Sequence, residues 1–212
     1  MDAEESTLSK PEQHELKRAD EPRSSLYAIW LIIAGVVGWY AAFALTIEKL
    51  AQAADPNHKA SCDFSVLVQC GENLGSWQGS VFGFPNPIIG LAGWVAPIVV
   101  GFAILAGAHF KKWFWLAFGA GILFAQGFVL WLQYQSIFNL HTLCPWCMVT
   151  WAVVIPTFWA TLQHLLGNGT FGHGLKNFGH KMKPWIILLT IISYAVVALV
   201  AQLKLDWIST LV

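Results

Sequence analysis

Five stretches of the chain, residues 26–47, 86–108, 113–133, 142–163 and 184–203, contain no Asp, Glu, Lys or Arg. Crossing a bilayer takes about 20 apolar residues, and each stretch is of that length. In lipid a spanning segment must satisfy its own backbone N–H groups, which the helix does. The pattern predicts an all-α polytopic membrane protein with five transmembrane helices. Only 11% of the 212 residues are charged, against about 25% in a soluble domain. Net charge is zero, so no basic surface suggests nucleic acid as a partner. Ala51-Gln52-Ala53 resembles a signal-cleavage site. The apolar run before it exceeds the roughly 7–15 residues of a signal peptide, so it reads as a retained span.

The basic residues set an orientation. With the N-terminus in the cytoplasm, Lys10, Lys17, Arg18, Arg23, Lys111, Lys112, Lys176, Lys181 and Lys183 lie inside, and only Lys49, Lys59 and Lys204 lie outside. That distribution obeys the positive-inside rule, and the C-terminus then falls on the outer face. Trp113, Trp115, Trp146, Trp185 and Trp207 fall near the ends of spans, where amphipathic rings settle. Residues 1–25 read as a disordered cytoplasmic tail, residues 26–212 as one integral-membrane domain, and residues 48–85 as a long outer loop.

All four cysteines fall on the outer side: Cys62 and Cys70 in that loop, Cys144 and Cys147 at the mouth of the fourth span. On an oxidising face, an even number of cysteines reads as static disulfides or as redox-active dithiols. A four-cysteine zinc site is the competing use. In "CPWC" Pro145 suits the first helical position, which makes Cys144 the N-cap and puts Cys147 one turn into the helix. The positive helix end favours thiolate there, and apolar burial opposes it. Cys144, nearer the surface, is placed to exchange disulfides, and the deeper Cys147 to meet a membrane-soluble acceptor. The loop pair sits in "CDFSVLVQC", followed by "GENLGSWQGSVFGFPNP". Such an apolar loop should fold onto the bundle or the membrane surface, where it can carry reducing equivalents inward by thiol–disulfide exchange.

The C-x7-C spacing, Ser76 six residues past Cys70, "FGFPNPIIG" at the second span and "CPWC" at the fourth together resemble vitamin K epoxide reductase and its bacterial homologues. The resemblance covers residues 26–163, and bacterial members are similar in having a fifth span. It implies a four-helix bundle around a quinone of menaquinone or ubiquinone type, a peripheral fifth helix, and the outer loop as a lid. It further implies that Cys62 receives a partner's dithiol, that Cys70 links to Cys144, and that Cys147 faces the quinone. Ser76 and Asn86 would bind or polarise the quinone oxygens, and Asp63 would tune the loop. Read without the family, Ser76 is a turn residue and Asn86 a helix N-cap before Pro87.

Two departures matter. Animal enzymes carry a Tyr near their substrate where this chain has Trp151, an indole with one N–H donor in place of a phenol. Simple quinone reduction is therefore expected over epoxide reduction. Some bacterial relatives continue into a thioredoxin-like domain, whereas this sequence ends at Val212, so a separate thioredoxin-like or DsbA-like protein is the expected partner.

No span carries an ionisable relay of the kind proton pumps need. Gln126 is expected to bond a neighbouring helix, and Gly90, Gly93, Ala117, Gly119 and Gly121 to let helices approach closely. His58 and His141 could move protons on the outer side. The Gly- and Lys-rich segment 166–183 is expected to face anionic lipid. The expectation is a plasma-membrane thiol oxidoreductase that passes electrons from the outer partner through two cysteine pairs to a quinone, supporting disulfide formation in exported proteins. Rival readings are a vitamin K epoxide reductase, a DsbB-type oxidase and an inert disulfide-stabilised scaffold.

Overall fold

A computed structural model describes residues 25–55 and 57–206. The N-terminal tail and Trp207 lie outside the described residues. Five helices are long and apolar enough to cross a membrane: Ser25–Ala54, Asn86–Leu105, Lys112–Leu140, Pro145–Gly167 and Gly174–Leu205. The protein is an all-α polytopic membrane protein.

The first helix, α1 (Ser25–Ala54), buries Ala28, Leu31, Ala34, Gly35, Gly38, Ala41, Ala42 and Leu45. That small-residue stripe at helical spacing lets neighbouring backbones come close, which is how helices associate in lipid. A Cβ on Gly35 would lie 2.5 Å from Ile98, and one on Gly38 would overlap the Trp94 indole. Two side-chain bonds tie α1 to the fourth span: Tyr27 Oη with Thr161 Oγ1 at 2.9 Å, and Trp30 Nε1 to Thr157 Oγ1 at 3.0 Å.

Each remaining span departs from its sequence boundaries for a local reason. The second is broken at Trp94 into α3 (Asn86–Gly93) and α4 (Val95–Leu105), because Pro97 lacks the N–H that would reach the Gly93 carbonyl. The third, α5 (Lys112–Tyr134), continues through a π-helical turn, Gln135–Leu140, and stops at left-handed His141 with φ 56°. The fourth, α6 (Pro145–Gly167), begins at the proline, with Cys144 as its N-cap. The Gly- and Lys-rich segment is itself helical, α7 (His173–Met182), and leads into α8 (Ile186–Leu205). A Cβ on Gly179 would strike the Gly167 backbone, so α7 sits tight against the end of α6.

Of the glycines expected at close approaches, Gly90 and Gly119 are there: their Cβ atoms would lie 2.8 Å from Ala42 and 2.5 Å from Leu165. Gly93 and Gly121 have nothing within 4 Å of that position. Both instead line a cavity in the bundle, where the missing side chains make room.

Candidate functional site

The long loop between α1 and α3 closes on the mouth of α6 through its main chain. The Leu143 N–H donates to the Leu67 carbonyl at 2.7 Å, and the Gln69 N–H donates to the Leu143 carbonyl at 3.1 Å, a parallel bridge between Val68 and Leu143. Asn73 Nδ2 adds a bond to Thr142 Oγ1 at 2.8 Å. From α1, Lys49 Nζ donates to the Leu74 carbonyl at 2.6 Å. The segment is a lid tied down along 67–74.

Under this lid the four sulfurs converge. Cys62 and Cys70 form a disulfide, which takes up two of the thiolates that a four-cysteine zinc site would need. Cys144 Sγ lies 3.4 Å from Cys70 Sγ. Cys147 donates its backbone N–H to Cys144 Sγ at 3.4 Å, as an N-cap accepts from the first turn. Cys70 and Cys144 are fully buried, and Cys62 is 3% exposed. Cys144, expected nearer the surface, lies beneath the lid, and Cys62 is nearly as buried. The Cys144 thiol is shifted down from the ordinary cysteine range. The hydrogen bond from the Cys147 thiol contributes most, helped by the backbone N–H groups of Cys147 and Trp146, against burial and the Asp63 charge. A lower pKa supplies more of the thiolate that attacks disulfides.

Asp63 holds the loop pair in register. Its Oδ1 accepts from the Cys70 N–H at 2.7 Å and the Gly71 N–H at 3.0 Å, capping the short helix α2 (Gly71–Gly75). Hydrogen bonds to a charged group are worth about 1.5–3 kcal/mol, so Asp63→Ala should raise the open population of the lid by roughly tenfold or more. The check is the rate at which a water-soluble dithiol reduces Cys62–Cys70, followed by thiol alkylation. An unchanged rate would remove Asp63 from the latch.

Cys144 and Cys147 border a cavity of about 460 Å³, walled chiefly by apolar side chains that include Trp94, Trp151 and Phe128. Its polar edge is set by the lid. Asn86 lines it but is not an N-cap: Pro85 holds that position. The Asn86 carboxamide bonds the loop backbone instead, Nδ2 donating to the Gln78 carbonyl at 2.6 Å and Oδ1 accepting from the Val81 N–H at 3.1 Å. Ser76 caps the 3-10 turn Trp77–Ser80, donating to the Asn73 carbonyl at 2.8 Å and accepting from the Gly79 N–H at 3.3 Å. Trp151 is buried between this cavity and a second one of about 680 Å³ under α8. Gln126 does not form the expected interhelical bond through its oxygen, which is buried without a partner among the described residues. The side chain that sequence reasoning missed is Gln78, whose Oε1 at the cavity wall is also buried without a partner among the described residues. A polar residue inside "SWQGS" gave no periodic or motif signal to mark it.

Residues 29–162 match the model of the Vitamin K epoxide reductase family. No curated protein matches the chain.

Proposed function

The chain belongs to the vitamin K epoxide reductase family, and from that premise we propose that it oxidises a thioredoxin-like or DsbA-like dithiol protein on the outer face of the plasma membrane and delivers the electrons to a membrane quinone. The observation that carries this reading is the 3.4 Å approach of the Cys144 and Cys70 sulfurs, with Cys147 opening on an apolar cavity. The wall would suit a quinone ring with its flat apolar surfaces, and the Gln78 oxygen, unpartnered among the described residues, would accept from a hydroxyl of the quinol product.

A partner thiolate attacks Cys62 and expels Cys70 as thiolate, and the partner's second thiol then releases Cys62 and leaves oxidised. With the inner pair in its disulfide form, Cys70 attacks Cys144 and Cys147 departs as thiolate. Cys62 next attacks Cys70, restoring Cys62–Cys70 and freeing Cys144. The loop disulfide beside free Cys144 and Cys147 corresponds to the stage at which two electrons have arrived inside. A bound quinone supplies a two-electron, two-proton acceptor. The buried Cys144 is screened from water during the exchange, and Cys147 presents the inner dithiol to the cavity. Replacement of the family's phenol by Trp151 supports quinone over epoxide as the acceptor.

The test uses purified protein, a reduced thioredoxin-like protein and decylubiquinone, followed by quinone absorbance. Turnover that requires Cys147 is the expected result. Absence of turnover with reducible cysteines would overturn the proposal. The driving force suffices, since carriers near roughly −120 mV are kept oxidised by a quinone-linked membrane protein.

A further inference from the structure

Resting on the quinone reading above, we infer that Gln78 recognises the reduced, quinol form in the cavity through a carboxamide oxygen held ready as an acceptor. Gln78 lies in the 3-10 turn of the lid and is 7% exposed. It lines the same cavity as Cys144 and Cys147. Its Oε1 has no hydrogen-bond partner among the described residues, and a buried acceptor without a donor carries a desolvation cost that a suitable ligand relieves.

A carboxamide has two faces, and the neighbours decide which is offered. Gln135, in the π-helical turn, accepts at its Oε1 from Asn139 Nδ2 at 2.5 Å and from Gln78 Nε2 at 3.4 Å. With that oxygen serving two donors, Gln78 turns its nitrogen toward Gln135 and leaves its own oxygen free. The backbone of the turn is fixed by Asn86, whose Nδ2 holds the Gln78 carbonyl. Asn86, which the family resemblance would place on the quinone oxygens, is here a positioning residue for Gln78.

The chemistry selects between redox states. Quinone carbonyls only accept hydrogen bonds. A ring O–H exists only after two electrons and two protons have been added. A fixed acceptor therefore favours the product over the substrate. Tighter quinol binding raises the potential of the bound couple and draws electrons from the Cys144/Cys147 dithiol.

The experiment measures equilibrium binding of decylubiquinone and of its quinol by tryptophan fluorescence, in a Cys147→Ser background that prevents turnover. Gln78→Leu should weaken quinol binding about tenfold and leave quinone binding unchanged, which lowers the potential of the bound couple by about 30 mV. Gln135→Leu should free the Gln78 amide to turn, strengthening quinone binding and erasing the quinol preference. This second variant carries the test if Gln78→Leu fails to fold, as judged by loss of the Cys62–Cys70 disulfide. Equal weakening of both forms, or no change in either variant, would overturn the role of Gln78 alone. If the Cys147→Ser protein with Gln78 intact binds neither form, the quinone reading fails and this inference fails with it.

Discussion

Cys144→Ala is expected to lower quinone reduction by at least about a thousandfold, the scale of losing a nucleophile, while the Cys62–Cys70 disulfide persists. Cys144 is a free sulfur in contact with the loop pair, 3.4 Å from Cys70. Without it electrons reach the loop and stop. A dithiol partner should still reduce Cys62–Cys70, so one round of partner oxidation occurs without quinone loss. Stopped-flow absorbance paired with thiol counting separates the two events. Sustained quinone reduction by this variant would mean that Cys147 receives electrons by another route.

Cys147→Ala should be equally inactive but chemically distinct. Cys144 can still attack Cys70, giving a Cys70–Cys144 disulfide and a free Cys62, and no second inner thiol exists to resolve it. Peptide mass spectrometry should find that linkage enriched at least about tenfold over the unsubstituted protein. The variant also loses the thiol hydrogen bond that does most to lower the Cys144 pKa. Its thiolate fraction, and hence its exchange rate, should rise only at higher pH than when Cys147 is present. An exchange profile unmoved by the substitution would show that the backbone N–H groups alone hold the thiolate.

The five spans were legible because charge is excluded from lipid, and the N-cap position of Cys144 because the fixed φ and missing N–H of Pro145 suit the first helical position. The ends of the spans were less so. The break at Trp94 depends on a proline inside an otherwise unbroken apolar run, and the π-helical turn after Tyr134 leaves no local signature. In the site, the residues that carry sulfur chemistry stood out by spacing. The burial of Cys62 and Cys144 did not, since it arises from how the loop folds back over α6. Asn86 was noticed for its motif, yet its side chain serves the lid backbone. Gln78 and Gln135 are far apart in sequence and meet only through tertiary structure, so no reading along the chain could pair them. Family membership, in turn, separates the protein from the DsbB-type alternative that cysteine number alone left open.

The bridge between Val68 and Leu143 has an evolutionary consequence. Its hydrogen bonds run between main-chain atoms, so any residue other than proline at positions 69 and 143 can supply the N–H donors. Side chains along 64–69 can then drift while the sulfurs beneath keep their spacing. The surface the loop presents and the sulfur cluster it covers thus become separately heritable traits, one free to change while the other is kept.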